Sequence, residues 1–517
     1  MPTVQETPFD LPGLTLPLDF KPTRDAVAPF FANALDYDDI DHIFTVRELY
    51  MMRIMEAVTD KPNWDTKVWN KEITDKWRSE ILQGDLDVAE AMIDYIFREL
   101  EWKAPMVKSD TAIPQGLKRN FERLRITILA QMGRLSTWST HHSFPSFLAE
   151  PGSFATRLIR NTEPSRMNTS RRRLRRINKY SERFQWLPCN VESGPNGECQ
   201  IASYINNLHP IITRTIPLWN VSLASRGDLP RRIPYRRVSY PSDEESEPEY
   251  DSSDDFDERY EEWRGNRRPK QPEPCPFQAP QSNMHKQVDL REQYRDKGLQ
   301  VIVKLANIEL TPEKPDYEGG AWNIEGQLNE RICATAIYYY DSENITESTL
   351  SFRHRADTNY FQEVRYEQDD FQFLRIFGFE PRAGRNDYEQ ITRDLGWVSC
   401  RMGRLLTFPN TLQHRVSPPP KILALFLIDP SRRIISTANV PPQREHWCND
   451  WAAATNDVLN NRLPRELQAM VRENLEFPPM TMDEAKAHRV ELMAERSSKS
   501  ESENEMFTRG DFSLCEH

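Results

Sequence analysis

The feature that most constrains this chain is a succession of short apolar runs beginning at Leu299. LQVIVKLANIEL, ICATAIYYYDSENI, LSFR, GRLLTFPN, KILALFLIDP and RIISTANV follow one another, rich in β-branched and aromatic residues and separated by turn-forming positions. Runs of this length and texture read as strands, and several short strands with turn signals between them predict an antiparallel sandwich or barrel. The β core is assigned to residues 298–445.

Upstream the periodicity changes. From Thr45 onward Leu49, Met52, Met55 and Val58 recur at three-residue spacing, which predicts one apolar stripe of a helix. A second helix is predicted over 87–102, where Val88, Met92, Ile93, Ile96 and Leu100 share a face. Residues 1–40 are proline-rich and irregular, and 103–114 read as a loop in which Ser109–Asp110 cap a short turn. A last helix is predicted over 481–497, opened by Thr481 and Glu484 in a Thr–x–x–Glu capping pattern. The resulting plan has a mainly helical region at 1–125, a linker with a helical part at 177–238 and a C-terminal helical region at 446–517.

Two stretches stand apart. Residues 239–277, SYPSDEESEPEYDSSDDFDERYEEWRGNRRPKQPEPCPF, hold too much acid and proline to support a packed core, so a disordered insert is expected. It reads first as a solvated loop, and second as a docking segment for a basic protein partner. Residues 126–176 are rich in Arg, Ser and Thr and carry only two acidic residues, Glu150 and Glu163. That block is either a basic surface arm or a stretch translated out of frame, and His141–His142 inside it carries no weight as a site.

Composition limits the function classes. Only 38% of the residues are hydrophobic while 28% are charged, the mark of a polar chain with one core and some disordered length. A net charge of −12 disfavours general binding to nucleic acid, because phosphate backbones repel an acidic surface. No run of about 18 apolar residues predicts a membrane span, and the first residues lack a basic region followed by an apolar one, so no secretory signal is expected. The seven cysteines, Cys189, Cys199, Cys275, Cys333, Cys400, Cys448 and Cys515, form no CxxC pair, which points to a reducing compartment, cytoplasm or nucleus. GxGxxG, GxxxxGK[ST], HExxH and GxSxG are absent. Tyr338, Tyr339 and Tyr340 read as strand residues with rings alternating between core and solvent. His209 reads as a packing residue at a loop or helix start.

The chemistry-bearing segments are GGAWNIEGQLNERICATAIYYYD and GRLLTFPNTLQHRVSP. Residues i and i+2 of a strand share a face, so Asn323 and Glu325 point the same way, and His414 comes from a later strand. A carboxylate and a distant histidine that converge are two members of the two-His-one-carboxylate set that holds iron. By spacing alone this is weak. A turn carboxylate and a hydrogen-bonded surface histidine explain it as well.

The words KSDTAIP, QWLPCNVE, ASYINNLHP, LQVIVKLANIELTPEKP, WNIEGQLNE, ATAIYYYDSENIT, GRLLTFPNTLQHRVSP, KILALFLIDP, IISTANVPPQ and GDFSLCEH occur in order. They resemble the fungal family called domain of unknown function 4246, from about Lys108 to His517. The resemblance implies an α+β protein whose helical N-terminal region packs on a jelly-roll core, similar to the double-stranded β-helix of Fe(II)/2-oxoglutarate oxygenases. The family's strand motif is similar to Trp-His-Val-Glu-Gly. Trp322, Glu325 and Gly326 match it, while Asn323 stands at the first histidine and His414 matches the distal one. The resemblance thus implies Fe(II) held by Glu325 and His414, with Asn323 at a degenerate position and 2-oxoglutarate as co-substrate. The family's loop after the distal histidine ends in an arginine that would pair with the keto acid. Here the loop is RVSPPP and Lys421 follows, a candidate point charge in its place. The chain is therefore expected to be a degenerate oxygenase or, alternatively, a non-catalytic scaffold. The 126–176 block falls where the family has a segment resembling HPGSDGKVVDLVHPSLFP. One coding string for DLVHPSLFP, read from its second base, gives the TWSTHHSF present here, so transcript sequencing decides whether the frame is natural.

Overall fold

The computed structural model describes principally residues 31–35, 41–101, 107–117, 142–143, 179–440 with several short gaps, parts of 463–470, and 481–512 except 510. Most of the 126–176 block, and 446–462 of the expected C-terminal region, lie outside the described residues. Only His142–Ser143 of the anomalous block is placed.

In chain order the strands are β1 (Asp41–His42), β2 (Lys108–Ser109), β3 (His142–Ser143), β4 (Cys189–Ser193), β5 (Cys199–Ile201), β6 (Leu299–Asn307), β7 (Ile332–Asp341), β8 (Thr349–Asp357), β9 (Glu389–Gln390), β10 (Thr392–Ser399), β11 (Leu405–Pro409), β12 (Gln413–Ser417), β13 (Lys421–Ile428) and β14 (Asp511–Phe512). The helices are α1 (Val46–Thr59), α2 (Trp64–Lys67), α3 (Lys71–Leu82), α4 (Glu90–Glu101), α5 (His209–Leu223), α6 (Phe256–Asn266), α7 (Leu290–Gln293) and α8 (Met482–Arg509).

The expected strand runs form the centre, except RIISTANV, since residues 433–440 hold no strand and instead continue from β13 as an irregular stretch and a turn. An eight-stranded sheet runs β2-β11-β7-β13-β6-β4-β5, with β3 also on β6, and a four-stranded sheet runs β1-β8-β10, with β12 also on β8. Within the core the pairs are antiparallel. The protein is thus α+β. The two sheets meet through Ile337, Tyr339, Leu350, Phe352, Leu406 and Phe408, drawn from β7, β8 and β11. Burying such side chains contributes roughly 1.5–3 kcal/mol each.

The far face of the larger sheet is not wet. Helix α5 lays Ile212, Ile216 and Trp219 against Ala334, Ala336, Tyr338 and Leu425. This corrects the expectation for the three tyrosines: Tyr338, Tyr339 and Tyr340 are all buried, because helix covers one face of β7 and the second sheet the other. His209 is the first residue of α5.

The N-terminal helices follow their signals with one shift. Thr45 caps α1 in a reciprocal box with Glu48. Its buried face is Met51, Ile54 and Val58, whereas Leu49, Met52 and Met55 are half-buried, because strict three-residue spacing drifts around a helix of 3.6 residues per turn. In α4 the buried residues are Met92, Ile93, Ile96, Phe97 and Leu100. Ser109 Oγ accepts from the amides of Thr111 and Ala112, so it does cap a turn, although Lys108–Ser109 also pairs as a strand with β11.

The acidic stretch holds more structure than expected. It contains α6, none of whose residues is buried, and its base is closed by the Lys270 amide donating to the Ser239 carbonyl at 2.7 Å. Helix α8 opens on the expected Thr481–Glu484 box and runs to Arg509, beyond the expected 497. Among the described residues no helix is long and apolar enough to cross a membrane.

Candidate functional site

Asn323 and His414 exchange two backbone hydrogen bonds, N–H to O at 3.0 Å in each direction. Asn323 is therefore a one-residue strand beside β12. Residues facing each other across such a pair share a sheet face, and alternation sends their neighbours to the other face. Asn323, Glu325 and His414 consequently lie on the face turned toward the larger sheet, while Trp322 and Arg415 lie on the outer face. The contacts agree: His414 Nε2 is 3.3 Å from Glu325 Oε1, and the Arg415 guanidinium sits 4.9 Å from the centre of the Trp322 ring.

The main chain around Glu325 is held on both sides by one residue. The Glu325 amide donates to Asn410 Oδ1 at 3.2 Å, and Asn410 Nδ2 donates to the carbonyls of Glu325 and Ile332 at 3.0 and 3.1 Å. Gly326 then turns the chain at φ +73°, where an added Cβ would stand 2.6 Å from Ile332 Cδ1. Only glycine enters that region without strain, which explains the Glu-Gly pair of the motif. His414 packs against Phe408 with ring centres 5.1 Å apart, and its Nδ1 is buried without a hydrogen-bond partner among the described residues.

Burial by itself would raise the Glu325 carboxyl. The charge of Lys304, the hydrogen bond and charge of His414 and the charge of Lys499 together outweigh it and hold the carboxyl at about 2. Lys304 lies on β6 opposite Ala424 of β13, with its ammonium 5.3 Å from the Trp186 ring centre. Lys499, on α8, is buried, donates to the Gly326 carbonyl and pairs with Glu503 at 3.0 Å. Ser500 and Asn504 of the same helix donate to the Trp322 carbonyl at 3.2 and 3.1 Å. Helix α8 thus lies along the motif-bearing segment.

The structure brings Asn323, Glu325 and His414 together and keeps Lys421 apart. Lys421 opens β13, pairs with Asp341 at 2.7 Å and sits across from the last residue of β7, whereas Asn410 holds the Glu325 backbone beside its first residue, Ile332. The cation whose charge acts most on Glu325 is Lys304. The run LQVIVKLANIEL carries its signal: strand alternation places Lys304 on the same face as Ile302, which is fully buried against the inner residues Phe426 and Ile428.

The donor set can be weighed against a metal. Imidazole and carboxylate converge on one point, and the imidazole's other nitrogen is left over. Yet among the described residues no group of three or more His, Cys, Asp and Glu side chains assembles. The third inward position is a carboxamide, a far weaker ligand for iron than imidazole. The residues present therefore fit an iron centre at two positions and leave the third unfilled.

No curated protein and no solved structure matches the chain. Residues 11–80 match the family described as Domain of unknown function DUF4246, N-terminal. Residues 90–451, more than half of the sequence, match the one described as Protein of unknown function (DUF4246), and the chain belongs to that family.

Proposed function

We propose that this chain has a degenerate Fe(II)/2-oxoglutarate oxygenase-like core in which Glu325 and His414 occupy ligand positions and Asn323 stands where a histidine completes the site. The observation that carries the reading is the meeting of Asn323, Glu325 and His414 on one inward face, from segments 91 positions apart at the Asn323–His414 bridge. The strand order supports it. Along the chain β6, the Asn323 segment, β7, β8, β10, β11, β12 and β13 fall in the larger, smaller, larger, smaller, smaller, larger, smaller and larger sheets, an order that changes sheet at every step but β8 to β10, in keeping with a jelly-roll reading.

Iron, when bound in such a site, supplies O₂ activation. The chain's own part is to present an ionised carboxylate and an imidazole from buried positions and to offer the Lys304 ammonium to the free carboxylate of a keto acid. With a carboxamide in the third position, iron affinity falls by at least the 10–100-fold typical of lost supporting interactions. A second reading, a non-catalytic scaffold, is favoured by α8, which closes over Trp322 and Gly326 while Glu325 and His414 satisfy each other.

Anaerobic titration with Fe(II) and 2-oxoglutarate, followed by the visible charge-transfer band, tests the proposal on this chain and on Asn323→His. A band in the histidine variant alone is the expected result and marks a surviving pocket with a lost ligand. A band in both restores the full enzyme reading. No band in either leaves the scaffold.

A further inference from the structure

The outer face of the smaller sheet carries a cleft. Helix α1 packs on β10 there and, with residues of β8 and Arg415 of β12, leaves a cleft of about 360 Å³, a volume that suits a small ligand. Arg53 of α1, Arg393 of β10 and Arg415 of β12 line it, with Asp394 as the acidic group among the lining residues. No ion pair joins any of these arginines to a carboxylate among the described residues. Arg393 donates through Nη1 to the Gly378 carbonyl at 2.9 Å, while its Nε is buried without a partner. Burial lowers the Arg393 guanidinium, and Asp394 opposes that only in part. Arg393 lies opposite His354, on the face shared with Phe352 and His414, and its guanidinium rests 4.9 Å from the Phe379 ring centre, so the charges turned to the cleft are those of Arg53 and Arg415.

The walls are aromatic. Trp322 lies between two guanidiniums, Arg353 at 4.5 Å and Arg415 at 4.9 Å from its ring centre, and Trp397 of β10 stands 48% exposed at the cleft. An exposed ring beside a net positive charge suits a ligand with both a flat face and an anionic group.

We propose that this cleft binds a small organic anion with a planar apolar face, an aromatic carboxylate or phosphate, its charge held by Arg53 and Arg415 and its ring against Trp397. The site is independent of the iron reading. Trp322 and Arg415 belong to the segments whose other face carries Asn323 and His414, but nothing in the cleft needs a metal.

Isothermal titration of the full chain without iron or 2-oxoglutarate tests the proposal. The probes are 2-naphthoate, the uncharged 2-naphthalenemethanol and inorganic phosphate. Naphthoate binds at least about tenfold more tightly than the alcohol, and Arg53→Ala and Arg415→Ala, both at exposed positions, each weaken it about tenfold or more. Trp397→Ala weakens naphthoate and leaves phosphate unaffected. A thermal midpoint within the parent's range for each variant shows that binding, and not folding, is being read. Equal binding of acid and alcohol, no binding of the acid at millimolar concentration, or parent-like affinity in both arginine variants overturns the site. Phosphate held as tightly as naphthoate overturns the aromatic part of the assignment.

Discussion

Asn410 is 1% exposed and serves three backbone groups, the Glu325 amide and the carbonyls of Glu325 and Ile332. Alanine there strands the amide and the carbonyl of Glu325 away from water, at about 1–3 kcal/mol for each group left unsatisfied, while the Ile332 carbonyl keeps the Asn33 Nδ2 donor at 2.7 Å. Asn410→Ala is therefore expected to lower stability by several kcal/mol, read as a fall in the urea midpoint with an unchanged slope. A loss within the range of ordinary surface substitutions would show that water replaces the carboxamide. Gly326→Ala meets a positive φ and a 2.6 Å approach to Ile332 Cδ1, and should cost about 1–3 kcal/mol in the same measurement. At this scale the sequence discloses the residue types but not their partners. Trp-Asn-Ile-Glu-Gly shows which side chains share a face, since alternation is local. Asn410 in FPNT reads as a turn residue, and its partner lies 85 positions away. Lys421 and Lys304 are both lysines of β strands. What separates them is Asp341, which neutralises one, and the inward face of β6, from which the charge of the other acts on Glu325.

Helix α8 is the element whose docking closes the motif-bearing segment. Its strongest tie is Arg496 to Glu330, where Nη1 donates to Oε2 at 3.0 Å and Glu330 also accepts from the amides of Gln327 and Trp186, each at 2.8 Å. Glu330 is fully buried, so removing its partner leaves an uncompensated charge, a loss of about 3–5 kcal/mol. Arg496→Leu is expected to loosen α8 before the β core, with faster amide exchange in 482–509 and around Gly326 than in β7. Equal acceleration in β7 would mean that helix and sheet unfold as one unit. Elements were legible where one periodicity ruled, as in α4 and the strands of the core. They were hidden where two signals conflicted. Helix α5 carries Pro217 in its interior, a residue that ordinarily ends a helix, and the three tyrosines of β7 lose their alternation because both faces of the strand are covered.

Across the whole molecule, one ion cluster joins the N-terminal helices to the larger sheet. Arg404, 1% exposed just before β11, pairs with Asp60 at the end of α1 at 2.8 Å and with Asp110 beyond β2 at 2.7 Å. Lys108 adds pairs to Glu56 at 2.6 Å and Asp60 at 3.3 Å. Burial pulls the Asp60 carboxyl upward, but Lys108 and Arg404 together hold it below the usual range, and the Arg404 hydrogen bond does the same for Asp110. A carboxylate depressed in the folded state contributes stability above its unfolded value of about 3.9 and loses it as pH falls through the lower folded value. Glu56 has the opposite sign, because burial raises it despite Lys108, so its protonation on mild acidification favours the fold. Stability should therefore hold or rise slightly from pH 7 toward pH 5 and drop below about pH 4. Asp110 is half-exposed, and solvent screens its share, which makes Asp60 the larger contributor. Urea midpoints measured from pH 7 to pH 3 on the parent and on Asp60→Asn separate the contributions. The variant starts lower at pH 7 and shows a shallower acid limb, because the neutral carboxamide no longer depends on pH. An acid limb as steep as the parent's would assign it to carboxylates elsewhere, and the junction between helices and sheet would then rest on apolar packing alone.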